Sequence, residues 1–250
     1  MKILVLLKRV PDTATKIRVA SDGLSIDPTG VEYVINPYDE IAVEQAIQLK
    51  EAGTAEQVTV LCLGPKEATK EIRTALAMGA DDGIHLLDEA PARDAVSSAE
   101  ALAAVAKEVG ADLVLAGWKA VDTDDGAVCH ILAAKLGIPC VTIAVKMAVE
   151  DGGVTVHREV EGAEEVVKAK LPVFVTVQKG LVEPRYTSLK GIMMAKRKKI
   201  DERTAESGAP RIVVKQMTPP PERPAGRIVG EGAEAVPALV EALSDEQKLF

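Results

Sequence analysis

Aromatic residues are scarce in this chain. Its 250 residues include one tryptophan, three tyrosines and two phenylalanines, which together make up 2% of the sequence. Hydrophobic residues still amount to 47%, so a chain of this length has to build its core from aliphatic side chains. Basic residues are not in excess either, and the net charge of -8 argues against nucleic acid as a general partner.

Long hydrophobic runs are also missing. No stretch of about 18 apolar residues is present, and the apolar N-terminal run ends at Lys8-Arg9 instead of continuing as a signal segment. We therefore expect a cytoplasmic protein that does not insert into a membrane. The three cysteines, Cys62, Cys129 and Cys140, are scattered without metal-binding spacing, and we expect them to be reduced and packed.

Familiar catalytic patterns are absent too. The sequence has neither a G-x4-G-K-[ST] loop nor a G-x-G-x-x-G motif, and it lacks the serine-glycine-rich loop of adenylating enzymes. Its histidines, His85, His130 and His157, fall on separate predicted elements and form no Ser/His/Asp set. We therefore predict binding or electron carriage rather than bond-making chemistry, with no catalytic residue and no metal site.

The sequence does contain a regular alternation of apolar strands and amphipathic helices joined by short loops. This pattern is typical of a parallel α/β sheet with right-handed crossovers. Strands are predicted at Ile3 to Leu7, Gln57 to Leu63, Gly83 to Leu87, Asp112 to Ala116 and Cys140 to Val145. Helices are predicted at Tyr38 to Ala52, from Pro65 to Gly79, at Ala95 to Val109 and at Ala127 to Leu136.

Three regions depart from this alternation. A turn at Asp22-Gly23 indicates a short hairpin. Beyond Ala148, three short valine-rich strands predict a mixed extension of the sheet. The tail is proline-rich and regains a helical pattern only near the C-terminus, so an arm that wraps a partner and a flexible tail both remain open. The valine strands are Val154-Val156, Val166-Val167 and Val173-Val175, and the terminal helix is Glu234 to Leu243.

A ligand site is expected at the carboxyl ends of the parallel strands, where helix N-termini present free N–H groups. Three stretches fall there: Lys8 with its neighbours, Asn36 to Asp39, and Gly117 to Cys129, which reads GWKAVDTDDGAVC. The last lies between a strand and a helix, so its backbone is suited to cradling a phosphate.

The segment from Glu183 to Ile200, EPRYTSLKGIMMAKRKKI, combines apolar side chains with a basic cluster. One interpretation is an ordinary helix with its apolar face on the core and its lysines in water. The other is a docking segment, in which Leu189 and the methionines supply adaptable contact area and the cations steer a partner of opposite charge.

The pattern RY-T-x-L-x-x-IM-x-AK-x-KK-I resembles the signature of the β subunits of electron transfer flavoproteins, and similar stretches extend from the N-terminus to about Ala225. The resemblance implies an adenine-nucleotide-hydrolase-like (Rossmann-like) sheet over residues 1–200. It also implies an arm over 201–250 that wraps the α subunit. In that family a leucine of this loop enters a hydrophobic pocket of partner dehydrogenases. The implied partner contacts here are Tyr186, Leu189, Ile192, Met193 and Lys196.

The loop after Gly117 is similar to the family pattern G-x-Q-A-x-D-x-D-[TC]-x-Q-x-G, which binds the phosphate of a structural AMP. The N-P-x-[DC]-E stretch and the strand ends frame the adenosine, while FAD is held mainly by the α subunit. The resemblance thereby implies cofactor contacts at Leu6, Asn36, Pro37, Tyr38, Asp39, Leu63, Gly117, Ala120, Asp122, Thr123, Asp124, Asp125, Gly126, Ala127, Val128 and Cys129.

Four loop positions depart from that pattern: Lys119, Asp125, Ala127 and Cys129. Asp125 matters most, because a second negative charge about 4 Å from a phosphate costs roughly a few kcal/mol at intermediate dielectric. Either its side chain turns outward or the phosphate is held differently. Lys119 would offset part of the charge.

The family includes two kinds of protein, and both stay open. In one, AMP is structural and electrons pass from acyl-CoA dehydrogenases to a quinone reductase. In the other, a second FAD replaces AMP, is reduced by NADH, and its electrons are bifurcated; Asp39 is compatible with this form. By resemblance, Glu159 contacts the flavin domain through an arginine of the α subunit, although a solvated carboxylate is the alternative. A stand-alone nucleotide-binding protein and a purely structural module are the rivals from other classes.

Overall fold

The computed structural model describes residues 1–89, 93–206, 209–222 and 225–249. Its elements follow the chain in the order β1 (Lys2–Leu7), β2 (Arg9–Pro11), β3 (Tyr33–Ile35), α1 (Pro37–Glu51), β4 (Gln57–Gly64), α2 (Thr69–Met78), β5 (Asp82–Leu87), α3 (Ala95–Val109), β6 (Leu113–Gly117), α4 (Val128–Leu136), β7 (Cys140–Glu150), β8 (Gly153–Val160), β9 (Ala163–Lys170), β10 (Val173–Val177), α5 (Leu189–Arg197), β11 (Ile200–Thr204) and α6 (Val236–Glu241). A 3-10 turn, Lys66–Ala68, precedes α2, another, Ala233–Ala235, precedes α6, and a π-helical turn, Ala242–Glu246, follows it.

Nine strands form one sheet in the order β11-β5-β4-β1-β6-β10-β7-β8-β9. The strands from β11 to β7 in that order run parallel, whereas β8 and β9 pair antiparallel. The predicted α/β class, with a parallel sheet and a mixed extension, is thus confirmed. The carboxyl ends of β1, β4, β6 and β10 meet at one edge of the sheet.

Strand β1 shows why the sheet is buried on both faces. Its sequence KILVLL is apolar after the first residue, and the five following side chains are buried, as is typical of a parallel strand between two helical layers. Ile3 and Val5 pack into the cluster that contains α1 and α2 residues. Leu4 and Leu6 pack on the opposite side with residues of α3 and α4. Each such burial contributes about 1.5–3 kcal/mol.

Two strands differ from the sequence prediction. Val173-Val175 was expected in the mixed extension, but β10 lies in the parallel part of the sheet, between β6 and β7. All five of its side chains are buried, which explains the uninterrupted sequence VFVTV. Strand β11 was not predicted; it pairs parallel with β5 at the sheet edge, so the sheet continues beyond residue 200. Its sequence IDERT is mostly polar because the edge is solvated.

The segment between β1 and α1 forms a small ribbon of β2 paired antiparallel with β3. Arg9 fixes this ribbon to the body, since its guanidinium lies 3.6 Å from the centre of the Tyr33 ring and its Nε lies 3.3 Å from a carboxylate oxygen of Glu71 in α2. The turn predicted at Asp22-Gly23 is present, but a single bridge, Val19 to Ile26, takes the place of paired strands.

The C-terminal arm lies almost entirely on the surface. Most of its described residues from 209 onward are exposed, and none of those described residues belongs to a strand of the sheet. It contacts the body through backbone hydrogen bonds, one of which runs from Met217 N–H to the Gly23 carbonyl at 2.7 Å. None of the helices in the described ranges combines the length and the apolar composition needed to cross a membrane.

Candidate functional site

A cleft of about 310 Å³ opens at the carboxyl ends of β1, β4 and β6, within the size range of small-molecule sites. One side is apolar, and the loop between β6 and α4 forms another side that carries several polar groups. This arrangement suits a ligand with a flat apolar part and a charged end. The apolar side is lined by Leu6, Leu63, Leu102 and Val128.

Most of the residues expected to contact a cofactor come together in this cleft. Twelve of them line it: Leu6, Asn36, Asp39, Leu63, Gly117, Ala120, Asp122, Thr123, Asp125, Gly126, Val128 and Cys129. Pro37, Tyr38, Asp124 and Ala127 lie beside these residues in the chain but do not line the cleft.

Asp39, in the first turn of α1, binds the protein's own backbone. One carboxylate oxygen accepts a 2.8 Å hydrogen bond from Gly117 N–H and the other accepts one of 2.8 Å from Lys8 N–H. Burial raises the pKa of this carboxyl to about 6, although the two amide donors and the positive charge of Lys8 favour its ionised form. Asp39 therefore joins the ends of β1 and β6 at the floor of the cleft.

Asn36 has a similar positioning function. Its side-chain amide donates to the Lys119 carbonyl at 2.9 Å, and its side-chain oxygen accepts from Val121 N–H at 3.2 Å. The side chain is 1% exposed, so both polar groups have to be paired inside the protein. Asn36 thus holds the β6–α4 loop against the N-terminus of α1.

Two lysines bring positive charge to the cleft, and each is paired with an aspartate of the loop. Lys8 Nζ lies 2.7 Å from Asp122 and Lys119 Nζ lies 2.6 Å from Asp124. Lys119 also stands over the ring of Trp118, 4.4 Å from its centre. The aspartates orient these ammonium groups next to the loop backbone, where an anionic ligand end would lie.

Asp125 turns back onto its own loop. Its carboxylate accepts a 3.2 Å hydrogen bond from Ala127 N–H, at the start of α4. The residue still lines the cleft, so it occupies one of the amide donors that a phosphate at a helix N-terminus would otherwise use. Cys129, one turn further, donates its thiol to the Gly117 carbonyl at 3.6 Å, and burial raises its pKa well above the usual value for cysteine.

A third side of the cleft was missed by the sequence analysis. It is formed by the chain leading into α3, where Asp88, Arg93, Asp94, Ala95 and Ser98 line the opening. Arg93 pairs with Asp88. The available signal was Asp94, a capping residue placed directly before an alanine-rich helix.

Trp118, the only tryptophan of the chain, also lines the cleft. Its ring meets that of Tyr38 edge to face, with the centres 5.8 Å apart, and its indole N–H donates to Gln178 at 3.1 Å. This aromatic pair connects the β6–α4 loop to the residue that follows β10.

The segment expected to dock a partner forms an exposed loop followed by α5. Tyr186 is 100% exposed and Leu189 is 82% exposed, and Ile192, Met193 and Met194 are exposed as well. Ser188 caps the helix by accepting a 3.0 Å hydrogen bond from Gly191 N–H. The large apolar side chains of this helix therefore face outward, and only the small Ala195 is buried. The interpretation that the apolar face lies on the core is wrong.

Three contacts fix this exposed segment to the body. Arg185 binds Glu44 at 2.7 Å and Glu51 at 2.6 Å, both in α1. Arg73 of α2 donates to carbonyls at the C-terminal end of α5. At Gly191 a Cβ would lie well inside contact distance of the Ala77 carbonyl oxygen, so glycine allows α5 to pack closely on α2.

The four cations of the basic cluster after Met194 do not all have the same role. Lys196, Arg197 and Lys199 are exposed, whereas Lys198 donates to the carbonyl of Ala80. Among the described residues these three cations have no ion-pair partner, so they are available to steer a binding partner, whereas Lys198 fixes the helix end.

Glu159 lies on the exposed face of β8, directly opposite Glu164 of β9 in the strand register. Glu164 is engaged by His157 at 2.6 Å and by Lys146 at 3.5 Å. Within the described residues Glu159 itself makes no ion pair, so its carboxylate is available on the surface.

Comparison with known proteins gives consistent matches. The sequence model of the electron transfer flavoprotein domain matches residues 23–207. The chain is 41% identical to electron transfer flavoprotein subunit beta of Bradyrhizobium diazoefficiens over 246 residues, which cover 98% of each chain. It is 41% identical over 262 residues to the protein of the same name from Bacillus subtilis, with 100% of both chains covered.

A vertebrate relative shows a similar sequence identity. Electron transfer flavoprotein subunit beta of Sus scrofa is 39% identical over 250 residues, covering 98% of this chain and 97% of the relative. Since these matches span nearly the whole length on both sides, the chain belongs to the electron transfer flavoprotein family, among its β subunits.

Proposed function

We propose that this chain is the β subunit of a heterodimeric electron transfer flavoprotein, with AMP bound in the cleft at the ends of β1, β4 and β6. The heterodimer accepts electrons from dehydrogenases of the acyl-CoA dehydrogenase type, through FAD held mainly by the α subunit, and passes them to a quinone reductase. The FAD supplies the redox chemistry. The chain described here supplies the nucleotide cleft, the docking surface and the arm.

The chemistry of the cleft fits an adenine nucleotide. Leu6 and Leu63 provide the apolar side on which a base can pack. Lys8 and Lys119, which also line the cleft, and the N-terminal turn of α4 supply positive charge for a phosphate. Because both lysines are paired with loop aspartates, a phosphate has to share or replace those pairs.

The exposure of Leu189 is the main support for the proposed docking to a dehydrogenase. A large apolar side chain that is 82% exposed gains nothing from its own fold, yet it stands on a helix fixed by Arg73 and Arg185. An exposed apolar anchor on a fixed helix, beside exposed cations, is suited to entering a pocket on an acidic partner. Such pre-organisation lowers the cost of binding.

The arm is proposed to wrap the α subunit. It presents many large apolar side chains to solvent, and such a surface marks an interface rather than a free tail. Those exposed by more than two fifths are Ile212, Val213, Val214, Ile228, Val236, Leu239, Val240 and Leu249.

One feature favours a second candidate, in which FAD replaces AMP in the cleft and NADH reduces it. Asp125 holds the Ala127 N–H, and its charge opposes a doubly charged phosphate monoester more than the singly charged diester groups of a dinucleotide. Asp39 gives no support to either candidate, because its carboxylate is committed to Lys8 and Gly117 backbone N–H groups.

A stand-alone nucleotide-binding protein would have no use for the exposed surfaces of α5 and the arm. The direct test is to reconstitute the chain with its α subunit and mix the heterodimer with a substrate-reduced acyl-CoA dehydrogenase. We expect the flavin absorbance of the heterodimer to bleach at a rate that saturates with dehydrogenase concentration. Absence of bleaching with every dehydrogenase of that class would contradict the proposed donor.

A further inference from the structure

Asp94 binds two separate parts of the chain. As the capping residue of α3, its Oδ1 accepts from Ser97 N–H at 2.7 Å and from the Ser97 hydroxyl at 2.8 Å. Its Oδ2 accepts from the backbone N–H groups of Arg211 and Ile212, at 2.5 and 2.9 Å. These four donors hold the pKa of Asp94 well below its usual range, with the Ser97 N–H as the largest cause. One carboxylate thus joins the start of α3 to the first part of the arm.

The start of α3 is also a wall of the cleft. Asp94, Ala95, Ser98 and Leu102 all line it, and Asp94 is the only one of these four with a hydrogen bond to the arm among the described residues. A ligand that packs against this wall therefore touches the element to which the arm is attached.

A second contact lies on the same side. The guanidinium of Arg211 is 3.6 Å from Glu100 in α3, and Glu100 pairs at 3.1 Å with Lys135 in α4. Helix α4 begins directly after the loop that forms the polar side of the cleft. The arm is thus attached to the α3 region at two points, Asp94 and Glu100, and both attachments involve Arg211. Through Glu100 it is linked indirectly to α4.

We propose that Asp94 is a positioning residue that couples the C-terminal arm to the nucleotide cleft, so that arm attachment and nucleotide binding strengthen each other. The inference rests on the proposed nucleotide site and goes beyond it, because it links that site to the segment proposed to hold the α subunit. Since coupling between two binding events is reciprocal, it has to appear in both directions and by the same factor.

Two variants break the link from opposite sides. Asp94→Ser keeps a good helix cap, but its single short hydroxyl cannot also reach the arm. Ile212→Pro deletes one of the two arm donors and leaves every cleft side chain in place. Glu161→Ser, in the exposed turn between β8 and β9, controls for the loss of one negative charge. All are made in the full-length chain.

AMP affinity is measured by calorimetry, and protection of the 211–212 amides by hydrogen exchange. We expect both Asp94→Ser and Ile212→Pro to weaken AMP binding at least about fivefold, a typical coupling factor, and the Glu161 variant to bind normally. In the wild type, saturating AMP should slow exchange at 211–212 by that same factor.

Weakening by Asp94→Ser alone would mean that Asp94 acts on the nucleotide independently of the arm, and would overturn the coupling. So would normal AMP affinity in both variants once exchange has become fast at the Arg211 amide, which both variants retain. If the wild type binds AMP poorly, FAD is the second probe, judged by the same criteria. Binding of neither nucleotide would contradict the proposed nucleotide site itself, together with the coupling.

Discussion

The carboxylate of Asp39 accepts a 2.8 Å hydrogen bond from the backbone N–H of Gly117, joining the first turn of α1 to the last residue of β6. The same carboxylate binds Lys8 N–H at the end of β1. The cleft floor is therefore set by a buried acid that contacts backbone. A change at either residue should alter the cleft without removing the side chains of Leu6, Leu63, Lys8 and Lys119, which are proposed to contact the nucleotide.

Gly117→Ala tests how closely α1 approaches the strand. A Cβ at this position would lie 2.5 Å from Tyr38 Cβ and 2.7 Å from Asp39 Oδ1, so the helix has to move. We expect a loss of about 1–3 kcal/mol in the free energy of unfolding and weaker AMP binding, measured by urea denaturation and calorimetry. Gly226→Ala, where nothing lies within 4 Å, is the control and should be neutral. Equal stability of the two variants would show that the approach is not tight.

Asp39→Asn tests the buried acid through its pH dependence. Burial raises the pKa of Asp39 from 3.8 to about 6, so between these values the folded protein keeps a proton that the unfolded chain has lost. The protonated carboxyl therefore favours the folded state fully below pH 3.8. The free energy of unfolding falls by on the order of 2–3 kcal/mol as pH rises from there to about 6. The variant lacks this contribution, and its amide places a donor against a backbone N–H.

The stability difference between wild type and Asp39→Asn should therefore be largest near pH 4 and smaller at pH 7. Urea denaturation of both proteins across this range measures it. A difference that stays constant or widens with rising pH would mean that Asp39 is ionised throughout and that the amide hydrogen bonds dominate over burial.

Leu189→Ala tests the docking anchor. Removing a side chain that fills a partner pocket costs about 2 kcal/mol or more at a hot spot, so we expect the dehydrogenase concentration for half-maximal electron transfer to rise roughly thirtyfold. Heterodimer assembly and nucleotide content should not change. Val166→Ala, an equally apolar site 56% exposed on β9, is the matched control. Equal kinetics for the two variants would rule out Leu189 as an anchor.

Glu159→Ala tests the surface carboxylate of β8. The residue makes no ion pair among the described residues and opposes Glu164 across the strands, so its removal should leave stability unchanged or slightly raised. We expect the electron-transfer rate of the heterodimer to change, because an arginine of the α subunit would lose its partner. Glu161→Ala, in the adjacent turn, is the control. Wild-type electron-transfer kinetics in the Glu159 variant would show that Glu159 is an ordinary solvated carboxylate without a role in electron transfer.

The local elements were largely predictable from the sequence, because periodicity and turn residues act over short ranges. The helices corresponding to α1, α3 and α4 have nearly the predicted bounds. The position of β10 was not predictable, since the apolar run VFVTV does not reveal which strands it pairs with. Strand β11 was not predicted because a polar edge strand lacks the alternation of apolar and polar residues by which strands are recognised.

The site was partly predictable for a similar reason. The loop residues could be placed at the sheet edge because strand ends meet there. The pairing of Lys8 with Asp122, and the attachment of the arm to Asp94, join segments more than a hundred residues apart. No local pattern encodes such contacts. Nor does a sequence distinguish a carboxylate that binds a ligand from one, such as Asp39, that binds strand-end amides.

The most direct test of the account is to co-express this chain with its α subunit, denature the purified heterodimer and quantify the nucleotides released. We expect one FAD and one AMP per heterodimer. Two FAD and no AMP would support the second candidate and contradict the proposed AMP site. Release of neither nucleotide would contradict the central claim that this chain serves as the nucleotide-binding β subunit of an electron carrier.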